Sequence, residues 1–233
     1  MWVFPLVAAL VAFAFAGSLA RQYAARRRPY QLAWVLALAM YGLASLAVVA
    51  GVASGWSRLA FEVYWGLGAV LNVPFLAAGE VLLLFRRPGV GWATWLLLVF
   101  LAAVTVSTLA GAAVSTPALA EQLPGGKEVF GAGTPAHRLP QLISIPSYVV
   151  LLAGTLWSAW RMRGRPDLKG RFVGTLLIAA GATVVAGGAS FSAAGVLVGF
   201  VATLLGGIVL MFWGFLRASR PAVSAPVPPP RAA

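Results

Sequence analysis

Residues 75–87 read FLAAGEVLLLFRR and set one carboxylate, Glu80, in a run that is otherwise apolar until Arg86 and Arg87. A carboxylate in hydrocarbon is costly, so it marks either a functional site or a buried partner. Glu80 precedes Arg86 by six residues, about 9 Å by helix rise, which sets it away from mid-membrane, toward the arginines. Three roles are open to it. It can pair with an arginine snorkelling from a neighbouring helix end, such as Arg161 or Arg217; it can face an aqueous cavity and bind a proton or ligand; or it can meet lipid as the neutral acid.

Asn72 stands eight residues before Glu80, about 80° away around a helix, and Tyr64 eight residues before that. Pro74 lies between Asn72 and Glu80, removes one backbone hydrogen bond, and can free carbonyls to line a site. Tyr41 and Ser45, Thr105 and Ser107, and Ser144, Ser147 and Tyr148 come from other apolar runs and can converge on this stripe. Hydroxyls in such helices also bond back to their own carbonyls. The candidate ligand-binding set is Glu80, Asn72, Tyr64, Tyr41 and Tyr148.

Other chemistries find little material. The chain has no cysteine and one histidine, His137, which excludes thiolate ligands, cysteine nucleophiles and any multi-histidine centre within one chain. Glu121, Glu128 and His137 share a loop, but no helical spacing gathers them, so no metal site is assigned. Gly125-Gly126 is read as a turn, since no strand precedes it and no Gly-Lys-Ser/Thr completes a phosphate loop. Glu62 is about 27 Å by rise from Glu80, too far for an acid and base pair. No cofactor is expected, and an intramembrane enzyme ranks behind the non-catalytic readings.

The elements that must position these residues follow from composition. Of 233 residues 61% are hydrophobic and 9% charged, with mean hydropathy +0.91, whereas a soluble domain carries about 25% charged residues. About 20 apolar residues cross the hydrocarbon layer as a helix, and seven runs qualify: 1–20, 31–54, 62–85, 90–114, 141–160, 172–192 and 196–216. No strand alternation competes, so the expected fold is all-α, a polytopic seven-helix membrane bundle. The first run lacks a positively charged leader and is kept as a helix rather than a signal peptide.

Arginine and lysine fix the direction. Fourteen of the seventeen basic residues fall in RQYAARRRPY, RRPG, RMRGRPDLKGR and the segment after the last span; only Arg58, Lys127 and Arg138 fall on the other side. The N-terminus is therefore expected outside and the C-terminus inside. The net charge of +12 follows from this distribution, so nucleic acid is not expected, and anionic lipid of the inner leaflet is. All nine tryptophans fall near span ends, where the headgroup level favours them. A transmembrane domain over 1–220 and a flexible Pro/Ala-rich cytoplasmic tail over 221–233 complete the division.

VVAGVAS at 48–54 and VVAGGAS at 184–190 nearly coincide, as do the positions of Pro5 and Pro146 in their runs. Pairing the second run with the sixth gives two parallel three-helix units joined by the fourth helix, a 3+1+3 repeat. Chance in a chain rich in Ala, Val and Gly gives the same match. Gly174, Gly181 and Gly188 recur every seven residues, and Gly199 and Gly206 do likewise in the next run, with Gly207 and Gly214 beside them. Such spacing puts small residues on one helix face and predicts close helix packing.

The layout is similar to that of the PQ-loop and SWEET transporter families, and Pro140-Gln141 is present. Here that pair is expected to open the fifth span, whereas in those families it lies within a helix. Microbial rhodopsins share the layout but need a lysine in the last helix, and 196–216 has none. RRPYQLAWVLALAMYGLASLAVVAG, Gly55-Trp56 and FEVYWGLGAVLNVPFLAAGEVLLL together resemble a pattern in uncharacterised multi-pass membrane proteins of actinobacteria, over residues 27–84. That resemblance implies no activity and no site residue. The sequence thus points to a bacterial cytoplasmic-membrane protein that binds a small molecule or lipid between helices, as carrier or sensor. The alternative is a non-catalytic scaffold in a homo-oligomer or beside a partner membrane protein.

Overall fold

An apolar run in hydrocarbon has only its own backbone to bond, and the computed structural model, which describes residues 1–219, is helical over most of each of the seven runs. The helices long and apolar enough to cross a membrane are α1 (Val3–Arg26), α2 (Pro29–Ser54), α3 (Arg58–Leu84), α4 (Pro88–Ala110), α5 (Pro135–Met162), α6 (Pro166–Ala193) and α7 (Leu197–Ala218). The tail expected over 221–233, with Arg220 and Arg231, lies outside the described residues.

Several boundaries differ from expectation by a few residues, and two of them have clear local reasons. RQYAARRRPY is mostly helix: α1 runs on to Arg26, Arg27 turns the chain with φ 51°, and Pro29 starts α2. α5 begins at Pro135, not 141. Thr134 accepts a hydrogen bond from the His137 N–H, and Pro135 occupies the first turn, where its missing N–H costs nothing. Pro140-Gln141 therefore lies inside a continuous helical run, not at its start.

Six helices close a ring in the order α1, α2, α3, α5, α6, α7, each packed on the next and α7 on α1. α4 stands outside it, against α3 and the first turn of α5, with Trp92, Leu96, Leu97 and Phe100 exposed. The tightest seam joins α6 to α7. A Cβ on Gly181 would stand 2.6 Å from the Gly207 carbonyl oxygen, and one on Gly214 would stand 2.6 Å from that of Gly174. Gly188 is covered by Thr203. Gly199 packs under the Phe191 ring of α6, while Gly206 has nothing within 4 Å, so the backbone-to-backbone approach on the α7 side is at Gly207 and Gly214 and Gly206 takes no part in it.

The long connection 111–134 folds back over one end of the ring. Leu119, Leu123, Val129 and Phe130 join a core with Trp56, Phe61, Tyr64 and Trp65. The Trp56 indole donates to the Gln122 carbonyl at 3.1 Å and the Trp65 indole to that of Ala136 at 3.0 Å. These two tryptophans are buried, so the expected headgroup placement does not apply to them; Trp2, Trp92, Trp157, Trp160 and Trp213 are exposed.

Candidate functional site

α3 and α5 both depart from α-helical geometry where they face each other. Tyr64–Leu71 and Pro140–Ser144 are π-helical, with i→i+5 bonds such as Asn72 N–H to the Leu67 carbonyl and Ile145 N–H to that of Pro140. In each, a proline closely follows the π segment, Pro74 three residues past Leu71 and Pro146 two past Ser144. π-turns are uncommon and concentrate at functional sites. The carbonyl that Pro74 would leave without a donor is that of Val70, and it does not line a site: Ser144 Oγ donates to it at 3.0 Å and to Ala69 at 2.6 Å.

Beside these turns, inside the ring, lies a cavity of about 520 Å³. Its walls are chiefly Ala, Val, Leu and aromatic side chains, and it extends to the loop-covered end at Lys127, Glu128, His137 and Gln141. Tyr41, Tyr64, Asn72 and Tyr148 all line it. The three tyrosine hydroxyls are already engaged. Tyr41 donates to the Leu204 carbonyl at 2.7 Å, Tyr64 shares a 3.3 Å bond with Ser192, and Tyr148 shares one of 2.8 Å with Thr183. They tie α2, α3 and α5 to α6 and α7 across the ring.

Asn72 and Ser45 are different. They are 3% and 2% exposed, both line the cavity, and neither side chain has a hydrogen-bond partner among the described residues. His137 Nδ1, at the mouth, is buried without a partner as well. Their polar groups open onto the cavity rather than into packed protein, so water or a ligand from outside the chain can meet them there. Comparison with family models, curated proteins and solved structures finds no match to this chain.

Glu80 does not join Asn72. It lines a second cavity, of about 450 Å³, that runs to the arginine-bearing end at Gln22, Arg161 and Arg171. The expected ion pair is not formed. Ser158 Oγ donates to Glu80 Oε1 at 2.9 Å, and among the described residues the one ion pair within 4 Å is the exposed Arg58–Glu62. The Glu80 stem lies over Gly154, where any Cβ would strike it. Gly154 and Ser158, spaced i, i+4 on one face of α5, form this seat. Sequence reasoning missed them, because nothing local to α5 shows that this face meets Glu80.

Removal of the charge should therefore be tolerated. Losing one partner of a buried ion pair costs about 3–5 kcal/mol, but Gln at 80 keeps an acceptor for Ser158 and strands no arginine. Glu80→Gln is expected to melt at or above the wild-type temperature in detergent. A large drop would show that an arginine depends on the carboxylate.

Proposed function

We propose that this chain binds a small, neutral, largely apolar molecule, a lipid or lipid-like compound included, in the cavity beside the α3 and α5 π-turns, as a carrier or sensor. The observation that carries the reading is the pair Asn72 and Ser45, buried, unpartnered and facing a cavity of about 520 Å³. That volume falls within the range of small-molecule sites, which are mostly apolar with a few placed polar groups. The deep walls hold no charged side chain, so the fitting ligand is uncharged where it meets them and carries one hydrogen-bonding end.

The setting is a bacterial cytoplasmic membrane with the arginine-bearing end inside, as the distribution of basic residues supports. The ring order is compatible with a 3+1+3 arrangement, with α1–α3 as one half and α5–α7 as the other. A scaffold reading gains less, because the α6–α7 glycine seam is buried between helices rather than presented outward.

Native mass spectrometry of the purified protein tests the reading. A stoichiometric non-protein mass is expected on the wild type. Asn72→Leu should retain about tenfold less of it at an unchanged melting temperature, as expected for one lost hydrogen bond of about 1.4 kcal/mol. No bound mass on wild type extracted under mild conditions, or equal retention by Asn72→Leu, would overturn it.

A further inference from the structure

The two cavities reach opposite ends of the ring, one to Lys127 and His137, the other to Arg161 and Arg171. Four residues line both: Leu38 of α2, Leu76 of α3, Leu151 of α5 and Met211 of α7. They come from four helices of the ring and carry no polar side-chain group beyond a thioether. Leu38, Leu151 and Met211 are buried. We infer that the two cavities are the two mouths of one path through the bundle, and that Leu38, Leu76, Leu151 and Met211 are the gate that closes it.

The physics of such a layer is specific. An aliphatic constriction between two wetter chambers excludes water and ions while it is closed, because neither can shed its hydration there without compensation. The same layer offers no such barrier to an apolar molecule. Met211 is unbranched and adapts its shape, as a residue that must both seal and yield should.

The fold also provides a means of movement. Leu76 lies two residues past Pro74 and Leu151 five past Pro146, so both sit just beyond the π-turn and proline of their helices. Kinks and bending concentrate at such breaks. A swing of either lower segment about its break moves a gate residue, while the glycine seam holds α6 and α7 together.

Asn72, Leu76 and Glu80 are spaced i, i+4, i+8 along α3 and follow in order: a polar group above the gate, the gate residue, and a polar group below it. The path gives a passage role to the molecule bound at Asn72, and it rests on the binding reading only for what passes.

The chain has no cysteine, so introduced ones report without background. Ser45→Cys places a thiol in the cavity that holds Asn72, and Thr175→Cys places one in the cavity that holds Glu80. A charged, membrane-impermeant methanethiosulfonate is applied to right-side-out and to inverted membrane vesicles. With the gate intact, each thiol should react from one face only, and the two from opposite faces. Adding Leu76→Ala should let the reagent reach Ser45→Cys from the Thr175 face, with a labelling rate at least about tenfold higher. Met211→Ala provides a second opening should Leu76→Ala fail to fold, as judged by gel filtration. Labelling of both thiols from the same face overturns the proposal, as does strict one-sidedness in a folded gate variant. No ligand is used, so a failed mass measurement on Asn72 and a failed labelling result are separate outcomes.

Discussion

Gly207→Leu should lower the melting temperature by roughly 10 °C or prevent recovery of monodisperse protein, whereas Gly206→Leu, one residue away, should shift it by no more than roughly 3 °C. The two changes have the same helix propensity and the same added volume, so only the surroundings differ. A Cβ at Gly207 would stand 2.7 Å from the Gly181 carbonyl oxygen and 3.1 Å from the Val185 nitrogen, and both are backbone atoms of α6. At Gly206 nothing lies within 4 Å. Overpacking costs about 1–3 kcal/mol where side chains can shift. Here a whole helix must move, which puts the cost at the top of that range, and each kcal/mol is worth about 2–4 °C in a chain of this size. Equal melting of the two variants would mean that α6 and α7 do not meet through Gly181 and Gly207.

That pair also shows what the sequence could reveal and where it stopped. The seven-residue spacing is visible in both helices, but two registers, Gly199/Gly206 and Gly207/Gly214, fit α7 equally well. Choosing between them requires knowing which side of α7 faces α6, a property of the bundle and not of the helix. The seven spans were legible because length and hydropathy are local. The folding of 111–134 onto Trp56 and Trp65 was not, since those indole bonds join residues 66 and 71 positions apart.

The same limit governs the candidate site. Periodicity placed Asn72 and Glu80 on one broad stripe of α3, and each faces the ring interior, but in a different cavity. That Leu76 between them faces both cavities, so that the stripe is divided rather than shared, depends on Leu38, Leu151 and Met211 arriving from three other helices. Glu80 was expected beside an arginine because its depth allows one to reach it. Depth is readable from rise, but rotation is not, and Gly154 and Ser158 take the position instead. The start of α5 was missed as well, since hydropathy placed it at 141, although a capping threonine followed by proline marks it at Thr134-Pro135.

Ser144→Ala should destabilise the protein by about 1–3 kcal/mol, the cost of a buried backbone acceptor left unpaired. Val70 lies at the end of the π segment, where α-helical register resumes; in that register its carbonyl would accept from residue 74, a proline with no N–H to give. Val70 is fully buried, so water does not replace the missing donor. Ser144 of the neighbouring α5 reaches that carbonyl at 3.0 Å, its one hydroxyl hydrogen shared with the closer Ala69 carbonyl at 2.6 Å. The proline and the serine therefore form a linked pair that the single substitutions cannot resolve, and a double-mutant cycle can. Pro74→Ala supplies a backbone donor for Val70, so Ser144→Ala in that background should cost less than half of what it costs in the wild type. Thermal unfolding of the four proteins in one detergent reads the coupling. An equal loss in both backgrounds would mean that Val70 does not depend on Ser144, and that the α3 π-turn is held by packing alone. A reduced loss would identify this hydrogen bond as the tie that fixes the broken segment of α3 against α5, next to the cavity that Asn72 lines.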